Sequence, residues 1–287
     1  MTDLPPPVAV VAHDAGAANL ILAWLAAAPS GLKRVRPVMA GPAAALWAAR
    51  FPDGPVPVAL EAALEEANSL LSGTGWASDL EHEARRLARA RGIPSVAVID
   101  HWVNYRMRFQ RHGEEILPDR LWVADEHALA EAAASLPEVP AELKPNLYLQ
   151  EQADAAGPVP ADGDILFVLE PARSDWGRDE PGEFQALDWF WRHRMRVAPA
   201  ATPVRLRPHP SDPPGKYVDW IAAHPGARLD ASADLAGALK GAAVVAGLQS
   251  AALVIALASG RKAVTALPPW APPCPLPHAA IGLLAGE

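Results

Sequence analysis

Short apolar runs alternate with segments of helical spacing along the first half of the chain. Runs rich in Val, Ile and Ala that end at proline or polar residues are typical of strands buried in a parallel sheet. They predict strands at Val8–Ala12, Val35–Met39, Pro57–Ala59, Ser69–Gly73, Ser95–Ile99 and Arg120–Ala124. The segments between them predict helices at Asn19–Ala28, Pro42–Arg50, Glu61–Asn68 and Ser78–Gly92.

The alternation pauses at residues 153–163, where Ala, Gly, Pro and Asp predict a linker, and then resumes. The second half predicts strands at Asp164–Leu169, Val204–Leu206, Ala227–Leu229, Ala242–Ala246 and Ala263–Ala266. It predicts helices at Glu183–Arg196, Gly215–Ala223, Ala231–Lys240 and Ser250–Ser259. Repeated strand–helix units favour parallel sheets covered by helices. We therefore expect an α/β protein of two Rossmann-like domains facing a central cleft, at residues 1–155 and 156–287.

Composition and charge narrow the classes of function. The 287 residues can bury two cores, and the formal net charge of −8 argues against a broad nucleic-acid-binding face. Cys274 is the only cysteine, which excludes an intrachain disulfide and a cysteine-rich zinc site. The first residues lack the basic start of a signal peptide, and no apolar run reaches membrane-spanning length. We expect a cytoplasmic protein, and attachment to the inner face of a membrane is compatible with the sequence.

Polar motifs follow several predicted strands, and ligands of parallel sheets bind beyond these carboxyl ends. His13 and Asp14 follow the first strand, and either could be the general base that takes a proton from an acceptor hydroxyl. The alternative for Asp14 or Asn19 is a helix cap. The next motif consists of Gly73, Thr74, Gly75 and Trp76. The Trp76 ring could stack on a sugar. The alternative is that the motif forms a plain strand-to-helix turn. Glu81 and Glu83 are expected to be solvated or to pair with Arg85 and Arg86.

The segment 100–108 is the densest cluster of reactive and aromatic residues in the chain. Asp100 and His101 are further catalytic candidates, although neighbouring residues usually point apart. The other members of this segment are Trp102, Asn104, Tyr105 and Arg108. We expect them to bind the acceptor or its sugar, together with Asn19 and the motif at residues 73–76. A hydrolase triad is disfavoured because no nucleophilic serine or cysteine accompanies them. A metal site of His13, Asp100 and His101 is a lesser alternative, and we assign no metal ligand.

Three loops of the second half have the residues to hold a phosphate-bearing ligand. They would contact the nucleotide or phosphate of a donor through Glu170, Arg173, Ser174, Arg207, His209, Ser211, Gly247, Gln249 and Ser250. Arginine binds phosphate as a charged fork, and the amides at a helix start favour an anion. The alternatives are a capping role for Ser174 and Ser250 and an ordinary proline turn around His209. Arg205 would share a strand face with Arg207.

The two-domain plan, His209-Pro210 and Ser250 at a helix start resemble GT-B glycosyltransferases. The resemblance is closest to bacterial surface-polysaccharide enzymes of the sialyl- and Kdo-transferase groups. It implies that Arg207, His209 and Ser250 bind the nucleotide donor, whereas the assignment of the base to His13 or Asp14 comes from the residues themselves. The acidic motif that carries the base in several sialyltransferase groups is not evident here.

These observations favour a metal-independent glycosyltransferase that needs no cofactor beyond its nucleotide-sugar co-substrate. It would move a sugar from a CMP-sugar, or next from a UDP-sugar, to a hydroxyl of a glycan or lipid-linked acceptor in polysaccharide or glycoconjugate synthesis. The N-terminal domain would hold the acceptor and the C-terminal domain the nucleotide donor. The alternatives are a sugar-nucleotide epimerase or hydrolase of the same fold and a non-catalytic nucleotide-sugar binding protein. A homodimer is compatible with the exposed tryptophans, and no nucleic-acid partner is expected.

Overall fold

A computed structural model describes residues 4–172 and 174–284, so that Arg173, one of the predicted donor contacts, lies outside the described residues. The chain forms two compact units, Met1–Tyr148 and Leu149–Glu287. Each unit contains its own parallel six-stranded sheet.

The strands of the first unit follow the predicted apolar runs, and two short strands add a hairpin. They are β1 (Val8–Ala12), β2 (Val35–Met39), β3 (Ser69–Ser72), β4 (Ser95–Val98), β5 (Gln110–Arg111), β6 (Glu114–Glu115), β7 (Arg120–Val123) and β8 (Ala141–Leu143). The helices are α1 (Ala15–Ala27), α2 (Pro29–Leu32), α3 (Gly41–Arg50), α4 (Leu60–Glu66), α5 (Leu80–Ala90) and α6 (Glu126–Ser135), and α7 (Leu147–Ala156) begins in this unit.

The first sheet has the strand order β2-β1-β3-β4-β7-β8, and all its pairs are parallel. The chain leaves β1 toward one edge and later returns to the other side of β1 with β3. The loops after β1 and β3 therefore diverge at a topological switch point, the usual ligand-binding place of such sheets. Val10, Leu71, Val98 and Trp122 lie beneath it in the core, each at most 1% exposed.

The second unit repeats this architecture with a different strand order. Its strands are β9 (Asp164–Val168), β10 (Val204–Arg207), β11 (Ala227–Leu229), β12 (Ala242–Gly247), β13 (Lys262–Thr265) and β14 (Gly282–Leu283). Its helices are α8 (Gly182–His193), α9 (Val218–Ala223), α10 (Leu235–Lys240) and α11 (Ala251–Ala258). The parallel order β11-β10-β9-β12-β13-β14 is the Rossmann order and puts the switch point between β9 and β12. These two sheets confirm the predicted pair of Rossmann-like domains.

The predicted strand Pro57–Ala59 is wrong. Proline lacks the N–H group that a sheet ladder needs, and only Val58 donates a backbone hydrogen bond from this segment to β2, to the Pro37 carbonyl. Val56 is 78% exposed, so the segment is also no part of the core. The run of valines and prolines is a surface loop.

The structure adds elements between residues 125 and 156, a stretch for which the pattern predicts none. Asp125 caps α6 by accepting a hydrogen bond from the Ala128 N–H, and β8 and α7 follow. Helix α7 also occupies the beginning of the predicted linker, which shortens the loop before β9 to residues 157–163. Among the described residues, no helix is long and apolar enough to cross a membrane.

Candidate functional site

His13 and Asp14 follow β1 at the switch point of the first sheet. The His13 Nδ1 atom lies 2.7 Å from Asp14 Oδ1, even though the two residues are neighbours in sequence. The imidazole packs against Gly41, and its Nε2 atom makes no hydrogen bond with any residue that the structure describes. A carboxylate bound to Nδ1 orients an imidazole so that Nε2 can accept a proton. The pair thus has the geometry of an oriented general base.

Asp14 also joins the two loops that diverge at this switch point. It precedes α1, but its side chain makes no capping hydrogen bond; instead Oδ2 accepts a 2.8 Å hydrogen bond from the Trp76 N–H. A Cβ atom on Gly75 would lie only 2.3 Å from Oδ2. The loop after β3 therefore needs glycine here, because a side chain would displace the carboxylate. The capping alternative for Asp14 is wrong.

Glu81 lies beneath this pair, contrary to the expectation that it is solvated. Its side chain is 1% exposed, and Oε1 accepts a 2.8 Å hydrogen bond from the His13 N–H. Burial raises the pKa of the Glu81 carboxyl, while the hydrogen bond from His13 opposes this rise. Glu83 is exposed and pairs with Arg86, as expected.

The burial of Glu81 could have been predicted from its spacing to the apolar residues of α5, although the many charged residues of this helix make the pattern hard to see. Glu81, Ala84 and Ala88 lie three to four residues apart on α5, and all three are buried. Residues at this spacing share one helix face. Glu81 thus belongs to the stripe that packs on the sheet, whereas Glu83 belongs to the solvent face.

The remaining residues of the 73–76 motif have separate environments. Thr74 is 1% exposed and donates to the Val98 carbonyl, so that it supports the loop from within. The Gly73 carbonyl accepts from Arg85 Nη1 at 2.9 Å. Trp76 is 36% exposed, and the Arg108 and Arg111 guanidinium carbons each lie 5.6 Å from its ring centre. The predicted sugar-stacking ring therefore already contacts two cations.

Asp100 is paired with Arg108 rather than with His101. Arg108 is 4% exposed, and its Nη1 donates to Asp100 Oδ1 at 3.0 Å and to Thr74 Oγ1 at 3.3 Å. A Cβ atom on Gly16 would lie 1.6 Å from Asp100 Oδ2, so the carboxylate also lies directly against α1. The pair connects the end of β4 to the loop after β3.

The other members of the 100–108 cluster mainly build the loop. The Trp102 indole donates to Asp125 Oδ2 at 2.8 Å, and the His101 ring lies 5.2 Å from the Trp102 ring. Tyr105 is 2% exposed and donates its hydroxyl to a backbone carbonyl, so that it lies in the core, and its predicted contact with a ligand stays a prediction. Asn104 is exposed, with a φ of 61°. Asn19 is half-buried on the second turn of α1.

Glu170 and the start of α11 meet at the switch point of the second sheet. Glu170 follows β9, and Oε2 accepts a 3.3 Å hydrogen bond from the Gln249 N–H. Burial raises the pKa of Glu170 to about 7, while hydrogen bonds from Gln249 and Ser250 oppose this rise. Ser250 precedes α11 but makes no side-chain capping bond. A carboxyl group thus occupies the helix start, where a phosphate would otherwise find free amides.

The two arginines of β10 are held in an ion-pair network. Arg205 is 8% exposed and forms a two-pronged bond to Asp164 and a further 2.6 Å bond to Asp230 Oδ1. Arg207 Nη1 donates to Asp230 Oδ2 at 2.7 Å and to the Ser232 carbonyl at 3.0 Å. Because this charge is already balanced, Arg207 has less to offer a phosphate than the sequence suggests.

His209 lies on an exposed loop whose conformation is fixed by hydrogen bonds between its own side chains and backbone. Its Nδ1 lies 2.7 Å from Ser211 Oγ, and its N–H donates to Asp212 Oδ2 at 2.9 Å. Asp212 is in turn held by Lys216 and Tyr217, at 2.7 and 3.1 Å. Asp212, Lys216 and Tyr217 are not among the residues that the sequence pattern singled out, although Asp212 directly follows the His-Pro-Ser motif. The loop presents the His209 ring in a defined orientation.

The last predicted donor contacts, Ser174 and Gly247, have local contacts within the second unit, and their role in binding stays a prediction. Ser174 Oγ accepts from the Trp176 N–H at 3.0 Å and forms a turn. Gly247 lies at the end of β12 against Val168 of β9, where a Cβ atom would come within 2.6 Å of the valine side chain. Among the described residues, no group of three or more His, Cys, Asp and Glu side chains could hold a metal ion.

Comparisons with known proteins give likenesses of fold. No family model matches the chain, and no curated protein matches it. The structure of Anabaena HepE in complex with UDP and glucose is similar with a TM-score of 0.56 at 10% identity, over 91% of this chain and 80% of that chain. A putative UDP-N-acetylglucosamine 2-epimerase from Listeria monocytogenes has a TM-score of 0.59 at 11% identity, over 91% and 79%.

A third likeness is to Acinetobacter baumannii MurG, with a TM-score of 0.50 at 14% identity, over 93% of this chain and 80% of that chain. These structures have GT-B-like folds. At identities of 10–14% they establish the fold of this chain, and they leave its reaction to the residues of its own sites.

Proposed function

We propose that this chain is a nucleotide-sugar-dependent glycosyltransferase in which His13 is the general base. The observation that carries the proposal is the 2.7 Å contact between His13 Nδ1 and Asp14 Oδ1 at the switch point of the first sheet. It orients an imidazole and leaves Nε2 for an acceptor hydroxyl. Asp14, whose two oxygens are both engaged, is then the residue that orients the base.

In this mechanism the acceptor oxygen attacks the anomeric carbon of the donor sugar while its proton moves to His13 Nε2. The bond between the anomeric carbon and the nucleotide phosphate breaks, and the phosphate leaves with the electron pair. The Asp14 carboxylate bound to Nδ1 stabilises the imidazolium that forms. The acceptor would be held in the first unit, near Trp76.

The second unit would hold the nucleotide and stabilise the departing phosphate. His209 can donate a hydrogen bond from its exposed ring, and the amides at the start of α11 can bind phosphate oxygens. For this the Glu170 carboxyl must be protonated or must leave the helix start, since two anions would repel each other there. Arg207 would contribute as a secondary contact.

The donor nucleotide and the biological role belong to the proposal. The sequence motifs favour a CMP-activated acidic sugar, whereas the UDP bound to Anabaena HepE favours a UDP-sugar. We propose that the acceptor belongs to surface polysaccharide or glycoconjugate synthesis at the inner face of the membrane, with no metal and no cofactor. A homodimer is part of the same proposal.

An epimerase or hydrolase acting on a sugar nucleotide is the second candidate. It is favoured by one observation, the likeness of fold to a putative UDP-N-acetylglucosamine 2-epimerase. Such an enzyme would convert a sugar nucleotide in the absence of any acceptor. A transferase would release free nucleotide at a substantial rate only when an acceptor is present.

Calorimetric binding of CMP, UDP, CDP and GDP tests the donor site. We expect one nucleotide to bind selectively. His209→Ala should weaken the affinity for this nucleotide by about tenfold, and Arg228→Ala, an exposed control on β11, should leave the affinity unchanged.

A transfer assay with the corresponding sugar nucleotide tests the base. It compares wild type with His13→Ala and with His112→Ala, a control at an exposed histidine. His13→Ala should lower the rate by about 100-fold or more. If no nucleotide binds, or if His13→Ala transfers normally, the proposal is overturned.

A further inference from the structure

Glu81 is a buried carboxyl that the proposed mechanism does not use. Its Oε1 accepts the His13 N–H bond at 2.8 Å, but Oε2 has no hydrogen-bond partner among the described residues. The side chain is 1% exposed. An unpartnered buried carboxyl oxygen costs free energy, and the cost is larger when the group is charged. A residue kept at this cost needs an explanation beyond packing.

Arg85 lies one helical turn further along α5 and holds the second loop of the same switch point. It is 2% exposed, and its Nη1 donates to Ser72 Oγ at 3.1 Å and to the Gly73 carbonyl at 2.9 Å. Glu81 and Arg85 thus lie on one helix face, with Glu81 under the loop after β1 and Arg85 under the loop after β3.

We propose that Glu81 is the positioning residue of the His13–Asp14 pair, which it holds through the His13 N–H and whose charge it adjusts by gaining or losing its own proton. The inference rests on the proposed function only in naming His13 as a base. The geometry of the loop and its electrostatic coupling are properties of the folded protein that can be measured without substrate.

The groups that face Glu81 explain why its ionisation matters. The His13 backbone N–H and the Asp14 carboxylate act on it from the loop after β1, and Arg85 acts on it from its own helix. Asp14 repels a second negative charge, so that the Glu81 carboxyl and Asp14 are not independent. Loss of the Glu81 proton would add a negative charge beneath the pair, where it acts on the charge of Asp14.

The first test separates the hydrogen bond from the charge. Glutamine keeps the oxygen that accepts the His13 N–H bond, whereas alanine removes it. We expect hydrogen exchange of the His13 amide to accelerate by about tenfold or more in Glu81→Ala and to stay close to wild type in Glu81→Gln. Glu83→Ala, on the solvent face of α5, is the matched control and should leave this amide unchanged. Equal exchange in wild type and Glu81→Ala would overturn the positioning role.

The second test follows the His13 imidazole by NMR as pH is varied. The resonances should follow pH differently in wild type and in Glu81→Gln, because glutamine cannot gain or lose a charge beneath the pair, whereas Asp14 contacts the imidazole in both proteins. Glu83→Gln should titrate as wild type does. Identical titrations of wild type and Glu81→Gln would overturn the charge coupling.

These two measurements remain decisive if no nucleotide binds and the proposed function fails. If transfer is established, Glu81→Gln should keep most of kcat but change its pH profile, while Glu81→Ala should lower kcat with little change in KM. Unchanged pH profiles for Glu81→Gln would contradict the inference and leave the transferase proposal intact.

Discussion

The switch points of the two sheets are built in different ways. At the first, His13, Asp14 and Glu81 are tied to one another and to both diverging loops, through hydrogen bonds of 2.7–2.8 Å. At the second, the Glu170 carboxyl occupies the helix start, and among the described residues the exposed His209 ring, on the loop after the neighbouring β10, hydrogen-bonds within its own loop. The first is organised by contacts between loops, as a preorganised general base would need to be. The second is organised mainly by contacts within single loops.

The difference extends to the charges beneath each site. In the first unit a buried carboxyl lies directly under His13 and Asp14. In the second, the charges of Arg205, Asp164 and Asp230 balance one another on β10 and its neighbours. Changes to this network should therefore affect stability, and changes to the loops should affect binding.

The largest effect is expected for Arg205→Ala. Its removal takes the two-pronged partner from Asp164 and one of the two arginines that bind Asp230, which should lower the free energy of unfolding by about 3–5 kcal/mol. Urea titration measures this, and hydrogen exchange should show faster opening of β9 and β10 with β1 unaffected. Arg228→Ala removes an exposed arginine 3.5 Å from Asp164 and should cost under about 0.5 kcal/mol. A similar loss in both variants would contradict the network.

Glu170→Gln should change how stability depends on pH. The pKa of Glu170 is raised from 4.5 to about 7 by burial, so between these values the unfolded chain loses this proton while the folded chain keeps it. Wild-type stability should fall across this window by about 3 kcal/mol at most. The glutamine variant lacks this fall, so its stability should gain on wild type as pH rises. Exposed Glu180→Gln is the control, and parallel curves for wild type and Glu170→Gln would refute the assignment.

Gly16→Ala tests how tightly the first site is organised. A Cβ atom there would lie 1.6 Å from Asp100 Oδ2 and must displace this carboxylate from its place beside Arg108. We expect a loss of about 1–3 kcal/mol in thermal or urea unfolding. Gly31→Ala meets no atom within 4 Å and lies in a helix, so it should be neutral or slightly stabilising. Equal stability of Gly16→Ala and Gly31→Ala would show that Asp100 can move away from Gly16 without cost, and would contradict tight packing at the first switch point.

Ser211→Ala should have the smallest effect. The hydroxyl orients the His209 ring at 2.7 Å on an exposed loop, so its removal should weaken nucleotide binding by about two- to fivefold with little change in stability. Calorimetry with the nucleotide selected in the binding panel measures it. Ser259→Ala, whose hydroxyl contacts a backbone carbonyl at the end of α11, is the control. Unchanged affinity in Ser211→Ala would remove the His209 loop from the donor site.

The pattern of apolar runs was sufficient for the fold class and for most strands, because a strand buried on both faces needs a continuous apolar segment wherever it lies. The position of His13-Asp14 at the end of β1 followed from the same rule. The failures have local causes. Pro57–Ala59 is not a strand because its proline cannot donate a hydrogen bond to a sheet. Helices α6 and α7 were not predicted because the apolar residues of their sequences show only weak helical periodicity.

The sequence by itself determined which residues could lie at the carboxyl ends of the strands. Only the tertiary structure decided which of them meet, because hydrogen-bond partners come from loops far apart in the chain. It paired Asp14 with the Trp76 N–H, 62 residues away, and Asp100 with Arg108 instead of His101. It also buried Glu81 and balanced Arg207 with Asp230. Burial and pairing set the charge of a side chain, and neither can be read from its identity.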